Sequence, residues 1–293
     1  MANVRPDIIF GCGYLGQRVA EFWRRQGRTV IAVTRSPERA ERFRREGLVP
    51  HVGDVCRPET LTGLPEADRV LFAVAYDPRS GLSREAVVVD GLQSVLNQFG
   101  SRCRARFINI SSTSVYGQSD GGWVNEDSPC DPVQPGGQCC LAGERLTRSI
   151  CSPENVAGNA VILRLAGIYG PGRLLARIEA LRTGSSIAGR ADAWLNLIHV
   201  DDAVQAVDAA ASAQRPGMVY LVADDQPVTR QEYYSRLAEL VGAPPPRFDE
   251  AQAAKRGSGG LNKRCSNARI KAELEIRWQF PTFLDGLGAC DLI

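Results

Sequence analysis

An α/β fold, a doubly wound parallel sheet with a smaller C-terminal lobe, is predicted by three observations. Strand-length apolar runs alternate with helix-like segments along most of the chain. The first such alternation places glycines at 11, 13 and 16 between a strand and a helix. The chain after residue 200 loses the strict rhythm, which sets a lobe apart. A βαβα rhythm puts helices on both faces of a parallel sheet.

The elements follow in order. Ile8-Ile9-Phe10 is a buried strand, and Val19-Ala20-Glu21-Phe22-Trp23 belongs to a helix ending near Gly27. Thr29–Val33 is a β-branched second strand. Ser36-Pro37-Glu38 opens a helix, with serine as N-cap and proline at the first helical position. Gly47–Val52 is a third strand, Arg69–Ala75 a fourth. Arg84–Phe99 carries apolar residues at 88, 92, 95, 96 and 99, the spacing of a helix. Ala105–Ile110 and Ala160–Leu165 are the fifth and sixth strands. Val200–Ala213 is helical and Met218–Val222 is a further strand. Thr229-Arg230-Gln231-Glu232 is a capping box for a helix that stops at Gly242. A stiff Ala243–Pro246 turn, a Gly/Ser-rich loop over Arg256–Gly260 and a short helix over Ala268–Leu274 complete the chain. The expected partition is a larger domain of residues 1–165 and 200–228, and a small lobe of 166–199 and 229–293, lying where open α/β sheets bind ligands.

Composition narrows the function classes. The 293 residues are 44% hydrophobic and 23% charged, ordinary for a globular protein. A net charge of +2 points to no nucleic-acid partner. The arginines between Arg35 and Arg45 alternate with Glu38, Glu41 and Glu46, the pattern of a solvated helix face. No apolar stretch is long enough for a bilayer and Met1–Arg5 leads straight into a strand, so a cytoplasmic protein without a membrane partner is expected. Nine cysteines without metal-site spacing and only two histidines, His51 and His199, predict neither a metal site nor a disulfide framework. Cys12 and Cys103 are expected to be small apolar fillers.

The glycine turn carries the first chemistry. Gly11 allows the tight turn, Gly13 lets backbone approach a pyrophosphate, and Gly16 lets helix and strand pack closely. With Tyr14 and Leu15 at the helix start, the turn offers amide N–H groups and a positive dipole end to phosphates. This is a dinucleotide fingerprint. The residue after Thr34 is Arg35, with Arg39 a turn later. A cation there suits the 2′-phosphate of NADP and an acid would suit the ribose of NAD, so NADP is favoured over NAD.

Further motifs follow. They are Gly53-Asp54-Val55, Ser111-Ser112-Thr113-Ser114-Val115-Tyr116-Gly117, Arg164-Leu165-Ala166-Gly167-Ile168-Tyr169-Gly170-Pro171-Gly172-Arg173 and Asn196-Leu197-Ile198-His199-Val200-Asp201-Asp202. With the glycine turn they closely resemble the extended short-chain dehydrogenase/reductases, and within them the NAD-dependent epimerase/dehydratase branch. The resemblance implies a Rossmann-type domain with a small substrate lobe. It implies that Asp54 and Val55 contact adenine, and that Ala73 and Ala75 line the adenosine and ribose path. Leu165, Ala166 and Ile168 would sit by the nicotinamide, with Ser111 among the cofactor contacts. Ser112 matches the family's catalytic Ser/Thr, and Gly167, Asn196 and His199 fall where substrate contacts lie. The family's dimer interface would use the helices Arg84–Phe99 and Gln138–Ile150.

The chain departs from the family at its acid/base pair. The family pattern is Tyr-x-x-x-Lys with a Glu four residues on. Anchored on Glu144, the tyrosine position holds Gly136 and the lysine position Cys140. No Tyr or Lys occurs between Trp123 and Ile150. Glycine has no side chain, and an ordinary thiol is no fixed cation. This matches the atypical members, which keep the fold and lack the pair. Ser112 either donates to a substrate oxygen or closes its turn. His199 either serves substrate and proton transfer or makes a structural hydrogen bond. Cys140, with Cys139 at a helix start, is either an activated thiol or a filler. Arg173 either holds a substrate phosphate or carboxylate or forms a surface ion pair. Two functions remain open: an oxidoreductase or epimerase on a carbonyl or hydroxyl substrate, a nucleotide sugar among the candidates, with a non-standard proton donor; or an inactive dinucleotide-binding sensor or scaffold.

Overall fold

A computed structural model describes residues 5–99, 105–151, 159–255 and 260–290. Cys103 and residues 256–259 of the Gly/Ser-rich loop lie outside the described residues. Two compact units share the chain. The first comprises residues 1–112, 135–164 and 204–220, and the second 113–134, 165–203 and 221–293.

The first unit is organised by a seven-stranded sheet. Its strand order is Val219–Val222, Ala160–Leu165, Arg106–Ser112, Arg69–Phe72, Asp7–Phe10, Val30–Thr34, Val49–Val52. The pairings from Arg106–Ser112 across to Val49–Val52 are all parallel, with Ile8 opposite Ile31 on one side and Val70 on the other. The chain reverses its direction of spread at Asp7–Phe10, whose neighbours are the second and fourth strands in sequence. That switch point is where such sheets leave a crevice beyond their carboxyl ends, and the glycine turn starts there. Asp7–Phe10 is buried along its whole length, as a central parallel strand must be.

Sequence and structure agree at one helix start and differ in detail at two elements. Ser36 caps the helix Pro37–Arg45 by accepting from the Arg39 N–H, as its position predicts. The fourth strand, however, ends at Phe72 instead of Ala75: the Ala73 N–H donates to the Phe10 carbonyl at 2.8 Å, and the chain then leaves the sheet to pass the glycine turn. The segment expected as one helix over Arg84–Phe99 has a π-helical turn at Ala86–Asp90 before the α-helix Gly91–Phe99. A Cβ on Gly91 would lie 2.6 Å from Val55 Cγ2, so the widened turn sits where the helix comes hard against Val55. Val95, Leu96 and Phe99 then join Ile8, Phe10, Val70 and Phe72 in one core.

The second unit is built from short pairings. Trp194–Leu195 runs antiparallel to Val228–Thr229, and Leu197–His199 parallel to Gly167–Tyr169. Its core gathers Tyr169, Leu174, Ile178, Tyr233, Leu237 and Phe283. Thr229 and Glu232 form the capping box of the helix Arg230–Leu240. The boundaries differ from the expected partition in residues 113–134, placed by sequence in the larger domain. Trp123–Val124 pairs with Arg264–Cys265, the Gly121 N–H donates to the Asn262 carbonyl at 2.8 Å, and Glu126 Oε1 accepts from the Leu221 N–H at 2.8 Å. These long-range partners hold the segment in the second unit. Leu165 and residues 200–203 and 221–228 belong there as well. Among the described residues no helix is long and apolar enough to cross a membrane, no cysteine is in a disulfide, and no cluster of metal-ligating side chains occurs.

Candidate functional site

The glycine turn forms one wall of a cavity of about 290 Å³ in the first unit. The strand order brings its other walls together. Thr34, Arg35 and Arg39 come from beyond the second strand, Gly53–Val55 from beyond the third, and Ala73–Ala75 from beyond the fourth.

Two of the three glycines answer a steric demand. Gly11 has φ +91°, and a Cβ there would lie 2.4 Å from the carbonyl carbon and oxygen of Ala73. Only a residue without Cβ lets these two loops pass. A Cβ on Gly16 would lie 2.3 Å from the Gly11 carbonyl oxygen, so the helix rests directly on the turn. A Cβ on Gly13 would meet nothing within 4 Å; there the backbone borders open space. The helix Tyr14–Arg25 starts at Gly13 without a side-chain cap and without an acid in its first turn. Its positive end is therefore left for an external anion. Leu15 is buried beneath the turn, while Arg18 stacks on the Tyr14 ring at 4.1 Å. This cradle fits the pyrophosphate of a dinucleotide.

The cation side is equally defined. Arg35 is exposed at the cavity lip, and Arg39 donates to the Cys12 carbonyl from the same side. Among the described residues neither has a carboxylate within 4.0 Å. Thr34 is buried and turns the chain, its Oγ1 accepting from the Ser36 N–H at 3.2 Å. Asp54 Oδ1 accepts from the Cys56 N–H at 3.0 Å, which shapes the turn that brings Val55 to the wall. Cys12 is a filler beneath: burial pushes its thiol up to about 12.

Ser111 is spent elsewhere. Its hydroxyl donates to Glu144 Oε1 at 2.6 Å, and Arg164 donates to the same carboxylate from Nε at 2.9 Å and Nη2 at 2.7 Å. All three side chains are buried. The one O–H of Ser111 is committed to a buried anion. Ser112, the last residue of the strand, is half-buried. Sequence singled out Glu144 as an anchor but gave no sign that Arg164 is its partner.

The helix Pro135–Ile150 carries Gly136, Cys140 and Glu144 four residues apart, hence on one face. Cys139 and Cys140 are its fifth and sixth residues, beyond the turn over which the dipole acts. Burial raises the Cys139 thiol.

The remaining residues lie in the second unit. Leu165 and Ala166 are buried, Ile168 is half-buried, and Gly167 and Arg173 are exposed. Asn196, expected at the substrate, uses its carboxamide inside the unit: Nδ2 donates to the Lys263 carbonyl at 2.9 Å and Oδ1 accepts from the Cys265 N–H at 2.7 Å. His199 is 1% exposed. Its ring lies 5.3 Å from that of Tyr169 and 4.0 Å from that of Phe280, and Nδ1 accepts from the Asp201 N–H at 3.3 Å. Within its unit it is a packed aromatic.

Comparison with known proteins agrees with this geometry. The profile of the "NAD dependent epimerase/dehydratase family" matches residues 8–223. The chain is 29% identical to the protein YeeZ of Escherichia coli over 284 residues, covering 95% of this chain and 97% of YeeZ. It is 27% identical to a 3-diazoavenalumate denitrifying reductase of a Streptomyces species, covering 97% and 99% respectively. Among solved structures, MoeE5 in complex with UDP-glucose and NAD superposes with a TM-score of 0.81 at 23% identity, covering 97% of this chain and 96% of that one. At that identity the likeness speaks for the fold.

Proposed function

The chain belongs to the NAD dependent epimerase/dehydratase family, and from that premise we propose that it is an NADP-dependent oxidoreductase or epimerase acting on a carbonyl or hydroxyl group of a small substrate. The observation that carries the reading is the cavity at the glycine turn with two guanidinium groups, Arg35 and Arg39, at its lip. A bound nicotinamide dinucleotide supplies or takes up a hydride. Gly11, Gly13 and Gly16 make room for its pyrophosphate at the helix start, where amide dipoles stabilise the anion. Arg35 and Arg39 give the 2′-phosphate charge-assisted donors, whereas an NAD-selective acid would repel that phosphate. Asp54 and Val55 flank the adenine, Ala73 and Ala75 the adenosine path, and Leu165, Ala166 and Ile168 the nicotinamide. Ser112 donates to the substrate oxygen, with Gly167 and Arg173 as substrate contacts; a nucleotide sugar is among the candidate substrates. The Streptomyces relative, named as a reductase, supports the redox direction.

The test is a calorimetric titration of nucleotide-stripped protein with NADPH, NADP, NADH and NAD. Micromolar or tighter binding with NADP forms preferred is expected; no binding to any of the four overturns the reading. Gly136 and Cys140 favour a second reading, a dinucleotide-binding sensor or scaffold without chemistry. It predicts the same binding, discrimination between redox forms, and no turnover across a panel of carbonyl and nucleotide-sugar substrates.

A further inference from the structure

The vacancy at Gly136 is not empty of chemistry. A Cβ on Gly136 would lie 3.9 Å from Nη1 and 4.0 Å from Cζ of Arg84. The Arg84 guanidinium stacks on the ring of Tyr76, with Cζ 4.4 Å from the ring centroid. Tyr76 and Arg84 are both half-buried. Tyr76 sits between Ala75 and Asp77, two residues that line the dinucleotide cavity. The first unit thus places a permanent cation beside the helix position where the family keeps its tyrosine, four residues ahead of the position where it keeps its lysine, with a phenol ring stacked on that cation. Both come from the segment after the fourth strand instead of from the helix.

We propose that Tyr76 is the proton donor and acceptor of this chain, and that Arg84 positions it and supplies the cation. In the reducing direction Tyr76 gives its phenolic proton to the oxygen of a substrate carbonyl while the carbonyl carbon takes the hydride pair of the reduced dinucleotide. The C=O π bond breaks, one O–H and one C–H bond form, the carbonyl is reduced and the dinucleotide oxidised. The Tyr76 phenolate then recovers a proton from water. A cation on the ring face stabilises that phenolate while it lasts, as an opposite charge favours an ionised group. Arg84 suits the task because a guanidinium stays charged at any working pH and stacks on aromatic rings. Asp77 and Glu85 are the carboxylates next in sequence; Asp77 is paired with Arg79, through two contacts at 3.1 and 3.2 Å.

This proposal rests on the dinucleotide reading of the cavity, and the experiment separates the two. Calorimetry with NADPH is run on wild type, Tyr76→Phe, Arg84→Gln and Arg84→Lys, followed by NADPH oxidation with phenanthrenequinone and a panel of aldehydes as probe carbonyls. Tyr76→Phe is expected to keep NADPH affinity within about twofold and to lose about 100- to 10,000-fold in kcat, the usual range for a general acid. Arg84→Gln is expected to lower kcat with KM unchanged, and Arg84→Lys to restore most of it. The second readout is a crystal structure of the NADP complex. The Tyr76 hydroxyl should lie within about 7 Å of the hydride-bearing nicotinamide carbon, the span of a near-attack approach, a carbonyl bond and one hydrogen bond. Absence of NADPH binding in wild type defeats the cofactor reading beneath the proposal. Normal binding with full turnover in Tyr76→Phe, with no wild-type turnover of any probe, or with a hydroxyl beyond that span overturns the proposal itself.

Discussion

Removing the Arg164 guanidinium should be among the most damaging single changes in the first unit. Arg164 is 3% exposed and Glu144 1%. The carboxylate accepts from Arg164 at 2.9 and 2.7 Å and from Ser111 at 2.6 Å. Arg164→Met keeps the length and apolar stem but leaves Glu144 buried with a hydroxyl as its only one of these three donors. Breaking a buried pair from one side costs about 3–5 kcal/mol, because an uncompensated charge stays in a low-dielectric interior. At about 2–4 °C per kcal/mol for a chain of this size class, the melting temperature should fall by about 6–20 °C. Glu144→Leu alone should cost a similar amount by stranding the guanidinium. Arg164→Met with Glu144→Leu should recover most of the loss, since apolar replacement of a whole buried pair is often near neutral. Thermal and urea denaturation followed by far-UV circular dichroism on the four proteins gives the coupling. A loss under about 1 kcal/mol in Arg164→Met, or single losses that simply add in the double variant, would show that the pair is not the buried unit described here.

Other expectations follow from the same geometry. Arg35→Glu should weaken NADP by about 10- to 100-fold while moving NAD much less, since a charge-assisted bond is worth about 1.5–3 kcal/mol; equal losses in calorimetry would remove Arg35 from the 2′-phosphate site. Gly11→Ala combines φ +91° with a Cβ 2.4 Å from the Ala73 carbonyl, so it should abolish dinucleotide binding and lower stability by more than about 2 kcal/mol; a wild-type melt and titration would contradict the steric argument. Asp224, 2% exposed, has its carboxyl raised by burial to about 8. The fold therefore holds a proton that the unfolded chain releases near pH 4. This contribution is fully present at the acid end and is lost at up to about 1.4 kcal/mol per pH unit as pH rises from about 4 to 8. Asp224→Asn should flatten that decline, read as the melting temperature at pH 5 against pH 8; an unchanged slope would count against it.

The sequence by itself determined the sheet and its ligand-binding edge. Apolar runs of strand length, the Ser36–Pro37 helix start and the Thr229–Glu232 capping box are local signals, and local backbone preferences suffice to interpret them. The glycine triad was legible for the same reason: Gly11 and Gly16 answer steric demands at the turn, Gly13 borders open space, and spacing alone carries the pattern. The family motifs then located Glu144, Ser112 and the loss at Gly136 and Cys140. Tertiary structure decided which side chains are already spoken for. Ser111 points to Glu144, thirty-three residues on. Asn196 is taken by Lys263 and Cys265, and His199 lies between Tyr169 and Phe280. Residues 113–134 go to the second unit through pairing with Arg264–Cys265. None of these partners is at helix or strand spacing, so no periodicity could announce them. The meeting of Tyr76, Arg84 and Gly136 is of the same kind. A missing side chain can be seen in a sequence, but what stands beside the vacancy depends on how distant segments pack.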